Sequence, residues 1–334
     1  MEKNWIGVTK KLFIIFLIPI GTFIVLSMLT NMKGIVLFEN AGHIKTFVRS
    51  TAIIAFTAWA LAINLNSGRF DFSLGAIAIL SSIIGTQITL IYSFPAFMLP
   101  IITVLVAGAL GLFSGGLYII LKLPPIITSV GVMLFYEAMT YIITGGEGLL
   151  ISTKFELLTL PSTRNILLIL IIGFLFMFFI MNHTKFGYNH EALKHGQGIS
   201  VNTGLPEKRN ALASYMIAGM LMGIVGFINM TTQGYTSVAL NFSSISAMFI
   251  AFLPMFIGSF IGRYSEERFG ILIGAATMGL VTLGFVRLNI ANHNQQFTNA
   301  ILLMIFLAYL SNEARLKNVL SFRNQSIKKV HPLK

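Results

Sequence analysis

The chain has 334 residues, 55% of them hydrophobic and only 10% charged, with a formal net charge of +12. A water-soluble chain carries roughly 25% charged residues, so this one lacks the charge to cover a soluble surface and its solvent is a bilayer. The positive excess is read as orientation against an anionic leaflet rather than as a nucleic-acid footprint, and the absence of cysteine excludes a disulfide framework and a thiolate metal site.

A spanning helix needs about 20 mostly apolar residues. The first candidate, Leu12–Met28, follows a basic start; it is too long for a signal-peptide core, no A-x-A-like site closes it, and it reads as an uncleaved span. Next come Thr51–Leu65, Leu74–Tyr92, Phe97–Leu121 and Ile126–Thr144. The second half offers Ile166–Met181, Ala211–Met230, Ile245–Ile261, Phe269–Phe285 and Phe297–Leu310, which makes ten. The expected fold class is therefore all-α: a polytopic membrane protein of about ten helices, one of them broken, with both termini cytoplasmic. With both ends inside, the inner segments hold 17 Lys and Arg against 6 outside, as the positive-inside rule requires. Residues 1–312 read as one transmembrane domain with a long inner loop at 183–209, and 313–334 as a basic cytoplasmic tail lying at the lipid surface.

Between the second and third spans stands "NLNSGRFDFSLGAIAI". Gly68 and Gly75 relax the backbone, and Ser67, Asp71 and Ser73 can satisfy freed N–H groups. A break inside a membrane is tolerated where it faces protein or a water-filled cavity, so Asn64, Asn66, Gly68, Asp71, Ser73 and Gly75 are candidates for a pathway or gate. Arg69 and Asp71 either pair or mark the membrane edge. Glu137, inside "VMLFYEAMTYII", is the other unusual charge. A carboxylate there costs about 2.5–3.5 kcal/mol on insertion scales. It is read either as a proton or cation site on the pathway or as an interhelical bond, with Arg69 one partner for a salt bridge.

The inner loop reads "TKFGYNHEALKHGQGISVNTGLPEKRNALASY" from Thr184. Gln197–Thr203 is expected to form a short surface helix closed by Gly204, with Gly196 and Gly198 giving a flexible start. His183, His190 and His195 lack a zinc spacing and a carboxylate pair, so no metal site is expected. No G-x-x-x-x-G-K-[ST], H-E-x-x-H or nucleophile-elbow motif occurs, so neither nucleotide hydrolysis nor other catalysis is expected in this chain.

These stretches carry a resemblance. Gly68, Asp71, Ser73 and Gly75 match the "GGIDLSVG" stretch of permease subunits of ribose/galactose/xylose-type ABC importers, with Phe70 and Phe72 in place of smaller aliphatics and Arg69 added. Thr184, Lys185, Phe186, Gly187, Ala192, Leu193, Gly204 and Tyr215 match that family's inner loop. "LPPIITSVGVMLFYEAMTYIITGGEG" is similar to its "FIATLGTM" span, and the order is kept over residues 50–310. The chain departs where Lys194, His195 and Gly196 replace "GGN", and where Arg263, Glu266, Glu267 and Arg268 replace a glycine run near Gly258 and Gly270.

The resemblance implies a transport subunit, not an enzyme, in a bacterial inner membrane. It implies two permease subunits, identical or sister chains, two ATP-binding subunits that hold ATP and Mg, and an extracytoplasmic solute-binding protein. The loop residues Gly187, Ala192, Gly196, Gln197, Gly198, Ile199 and Gly204 would dock on the ATPase. The cargo it implies is a sugar or sugar-like solute; a nucleoside, a purine or a signalling molecule is the near alternative, and an ion-coupled secondary transporter or channel the alternative of another class.

Overall fold

The computed structural model describes residues 2–152, 154–202, 204–291, 294–305, 307–308 and 311–312, with side chains left out at 2–14, 197 and 199. Two units are distinguished, Met1–Ile290 and Ala291–Lys334. In the second, residues 294–305 are helical. The expected tenth span, 297–310, lies partly outside the described residues, and the basic tail, 313–334, wholly so.

Among the described residues of the first unit, the regular structure is helical apart from one two-residue strand pair. Its long helices are α1 (Glu2–Asn31), α2 (Ala41–Asn66), α3 (Leu74–Ile91), α4 (Met98–Leu121) and α5 (Pro125–Thr144), then α7 (Thr163–His183), α10 (Glu207–Gln233), α11 (Ser246–Gly262) and α12 (Glu267–Arg287). Short elements fill the connections: β1 (Leu149–Leu150), α6 (Phe155–Thr159), α8 (Lys185–His195), α9 (Gln197–Asn202), β2 (Tyr235–Thr236) and a 3-10 turn at Ser243–Ile245. β1 and β2 pair antiparallel, Leu149 opposite Thr236. Among the described residues, eight helices are long and apolar enough to cross a membrane, and they match the second to ninth expected spans to within one residue or include them.

Burial separates a core from a lipid-type surface. α2 is sealed from Thr51 to Asn64 apart from Ile53, with Phe56, Trp59 and Leu61 fully buried. α7 instead presents Leu168, Ile172, Leu175 and Phe179 outward, and α4 presents Ile101, Leu105 and Phe113. Exposed apolar stripes of this length cost nothing against acyl chains, which is why composition alone indicated a bilayer. Close packing between α4 and α10 depends on small residues. A Cβ added at Gly111 would overlap the Tyr215 carbonyl, and one at Gly219 the Ala107 carbonyl.

Two segments inside this helical body are not helical. Residues 67–73 separate α2 from α3, and residues 237–242 lead from β2 to the turn that starts α11. They meet where α3 begins: a Cβ at Gly75 would overlap the Ser244 carbonyl. Thus α3 starts within the protein interior, with Ser73 and Leu74 buried, and the turn before α11 reaches it through the buried Ser244, while Phe242, Ser243 and Ser246 are exposed.

Candidate functional site

The break begins where α2 ends. Gly68 takes φ +75°, and Gly68 and Arg69 donate their N–H groups to the Leu65 and Asn64 carbonyls, each at 2.9 Å. Glycine suits that left-handed position because it has no Cβ. Asp71 then caps the start of α3: its Oδ1 accepts from the Ser73 N–H at 2.9 Å and the Ser73 hydroxyl at 2.6 Å, and its Oδ2 accepts from Asn64 Nδ2 at 3.2 Å. A carboxylate beside a helix N-terminus is favoured by the helix dipole as well. Ser67, expected to accept N–H groups, instead donates back to the Ile63 and Asn64 carbonyls, at 3.0 and 3.1 Å. The Ser114 hydroxyl lies 3.5 Å from that of Ser73 and 3.0 Å from Tyr136 Oη, which extends the polar line onto α4 and α5.

Arg69 and Asp71 do not pair. Arg69 is fully buried and its Nη2 donates to Asn210 Oδ1 at 3.0 Å, with Glu207 Oε1 4.0 Å from Nη1. Asn210 in turn donates to the Phe186 carbonyl at 3.2 Å. The two side chains turn to different neighbours, the cation to α10 and the anion to α2 and the start of α3. Nε and Nη1 of Arg69 have no hydrogen-bond partner among the described residues.

Glu137 does not reach Arg69 either. Its Oε2 accepts from the Phe242 N–H at 3.0 Å, and its Oε1 from the Ser244 N–H at 3.0 Å and the Ser244 hydroxyl at 2.6 Å. One turn on, Thr140 Oγ1 accepts from the Ala239 N–H at 3.1 Å. The buried carboxylate is therefore an anchor for the non-helical segment before α11. Hydrogen bonding to N–H groups at a helix start is the compensation a buried charge needs.

The described part of the 183–209 loop is more ordered than the sequence suggests. Thr184 caps α8 by accepting from the Gly187 N–H at 3.3 Å, and Gly187, His190 and Leu193 form its buried face. Charged neighbours mask that spacing in the sequence, so α8 was not anticipated. A Cβ at Gly187 would overlap the Met181 carbonyl, which fixes the α7–α8 turn. Gly196 closes α8, the expected short helix is α9, and Gly204 follows it at φ +90°. Ser200 Oγ donates to the Ala192 carbonyl at 2.8 Å, tying α9 to α8. Gly198 is exposed, and a Cβ there would meet nothing. The side chains of Gln197 and Ile199 lie outside the described ones.

Glu267, which sequence reasoning noted only as a departure, is a junction. Its Oε2 accepts from Lys194 Nζ of α8 at 2.6 Å, and its Oε1 accepts from Asn66 Nδ2 at 3.1 Å and Ser259 Oγ at 3.1 Å. Beside it, Glu266 caps α12 through the Phe269 N–H at 2.9 Å and binds Arg268 at 2.8 Å. His190 is buried within this group, with the Phe186 ring tilted against it at 5.8 Å between centroids. Burial, reinforced by the cations Arg69, Arg268 and Lys194, holds its pKa down at about 4. His195 pairs with Glu191 at 3.2 Å, and His183 packs on Phe178 and Phe179, so the three histidines have separate surroundings.

The sequence profile of the family described as branched-chain amino acid transport system / permease component matches residues 43–310. The chain belongs to this permease family. The match spans both breaks, the inner loop and all eight long apolar helices, so the permease is a multi-pass membrane protein that moves solute rather than converting it. Individual relatives are distant. The permease is 24% identical over 265 residues to the fructose import permease protein FrcC of Rhizobium meliloti, covering 74% of this chain and 71% of that one. It is 25% identical over 295 residues to the L-arabinose ABC transporter permease protein AraH of Azospirillum brasilense, with 83% of each chain covered. An autoinducer 2 import system permease protein, LsrC of Enterobacter sp. (strain 638), is 26% identical over 247 residues, with 68% and 69% covered.

Proposed function

We propose that this permease is the transmembrane subunit of an ATP-driven ABC importer for a sugar or sugar-like solute. In the complete transporter it stands beside a second permease subunit, identical or a sister chain. It receives solute from an extracytoplasmic binding protein and is driven by separate ATP-binding subunits that hold the ATP and Mg. Ten spans with both termini cytoplasmic satisfy the charge asymmetry. Residues 1–312 then serve as one membrane domain and 313–334 as a basic tail at the leaflet. The sugar class follows from the relatives, whose names specify fructose and L-arabinose, and not from the amino-acid wording of the family description.

The observation that carries the mechanism is the double link from inner loop to break. One strand runs Lys194–Glu267–Asn66, the other from the Phe186 carbonyl through Asn210 to Arg69. An ATPase that grips α8 and α9, with Gly196 and Gly198 at the contact, pulls on both ends of residues 66–69. Displacement there moves Asp71 and Ser73, and with them the start of α3 against Ser244. Gly68 and Gly75 make that motion possible by leaving the break short of side-chain bulk, Asn64 carries it to Asp71 through its hydrogen bond, and Glu137 holds the facing segment still.

The test is purification of the tagged chain from its own membranes in mild detergent. An ATP-binding subunit in near-equal amount is expected. A chain that comes out alone, folded and reproducibly so, overturns the ATP-driven reading and sends the question to uptake driven by ion gradients.

A further inference from the structure

A cavity of about 250 Å³ lies between α2, α10, α11 and α12, away from both the break and the inner loop. At about 30 Å³ per water it has the capacity of a small solute rather than of one or two waters. Its polar lining includes Arg49, Thr57, Asn229, Thr232, Gln233 and Thr282. No acidic residue lines it. Arg49 and Gln233 stand near the first turns of α2 and the last turn of α10, the ends that the charge asymmetry places outside.

The hydrogen-bond state of the lining is distinctive. The three threonine hydroxyls donate back to their own helices, to the carbonyls of Ile53 at 2.8 Å, Ile228 at 2.6 Å and Met278 at 3.0 Å. Their oxygens are left as acceptors. The half-buried guanidinium of Arg49 has no hydrogen bond or ion pair among the described residues, and neither amide of Asn229 or Gln233 has a partner there. An unpaired arginine inside an apolar chain is costly and marks a pathway or a ligand by default. The five N–H donors of one planar fork thus line the same cavity as two amides and three hydroxyl acceptors.

We propose that this cavity is a binding station for the transported solute. The geometry suits a polyhydroxylated molecule of monosaccharide size, because every sugar hydroxyl both donates and accepts. Arg49 and the two amides give to its oxygens, and Thr57, Thr232 and Thr282 take from its hydroxyls. Ile54 and Ile250 supply an apolar wall for its C–H face. A cationic solute is rejected, since it would meet Arg49 with no carboxylate to offset the repulsion. The inference rests on the importer reading and adds to it a place of binding and the residues that select.

The chain has no cysteine, so Ala247→Cys introduces a single reporter thiol on the cavity wall without removing a recognising side chain. The variant full-length chain in nanodiscs is treated with a water-soluble maleimide in the presence of D-fructose, L-arabinose, D-ribose, myo-inositol or choline. At least one polyol is expected to slow labelling, by about tenfold once it stands at about ten times its dissociation constant, while choline leaves the rate unchanged. Adding Arg49→Gln is expected to remove the protection, and Arg49→Lys to retain part of it, in chains that remain monodisperse. Labelling unaffected by every polyol, protection by choline equal to that by polyols, or a thiol that never labels would each overturn the station. None of these results touches the importer reading, which falls only if no ATP-binding subunit purifies with the chain.

Discussion

Glu137 and Arg69 are both charges withdrawn from water, and their neighbours treat them differently. Glu137 accepts three hydrogen bonds, whereas Arg69 leaves two of its nitrogens unmatched. Glu137→Ala strands the N–H groups of Phe242 and Ser244, at about 1–3 kcal/mol for each buried group. Thermal unfolding of the purified chain should show a clear drop for Glu137→Ala and a smaller one for Glu137→Gln, which keeps an acceptor oxygen; equal stability of all three would remove the anchor. Asp71→Ala leaves the start of α3 uncapped and is expected to reduce solute uptake by cells at equal membrane abundance, whereas normal uptake at normal abundance would free the break from any part in transport. His190 gives a pH dependence with a fixed sign. Unfolded, it takes a proton below about 6.5; in place it stays neutral until about 4. The unfolded state therefore binds more protons between those values, and stability is lost as pH falls through that window. His190→Gln should flatten the slope of melting temperature against pH there, and an unchanged slope would assign it to other groups.

At the level of elements, the long apolar helices are legible in the sequence because a bilayer demands an unbroken apolar run and nothing else produces one. The second expected span, Thr51–Leu65, nonetheless begins ten residues late against α2 (Ala41–Asn66), since His43, Lys45 and Arg49 interrupt the run without interrupting the helix. α8 escapes notice for a related reason: its buried face is a glycine, a histidine and a leucine, which hydropathy does not register. The break at Gly68 is visible as a glycine among polar residues, but the second non-helical segment, before α11, looks like an ordinary uncharged loop; its insertion shows only through Glu137 and Gly75. Contact between α4 and α10 makes a prediction of its own. Gly219→Leu forces bulk against the Ala107 carbonyl and should destabilise by about 1–3 kcal/mol, read as reduced thermal stability, whereas Gly116→Leu on α4, with open space around it, should be tolerated. Equal effects would mean that the α4–α10 seam is not closely packed.

For the whole molecule, the candidate site was readable in part. Asn64, Asp71 and Ser73 are brought together, as a helix break requires, and the loop glycines frame a short helix. Glu267 and Arg49 were not legible as site residues, because one needs a partner from α8 and the other a cavity made by four helices, and neither is encoded within a short window. What joins the parts is the pair of polar links from inner loop to break, and the most direct test is a charge exchange across one of them. ATP hydrolysis and solute uptake are measured together in proteoliposomes holding the complete transporter. Lys194→Glu and Glu267→Lys should each lower the solute carried per ATP, and the double exchange should restore it toward the original ratio. If the single variants keep the original ratio, or if the double exchange is as uncoupled as either single one, force does not pass from α8 to the break through Glu267.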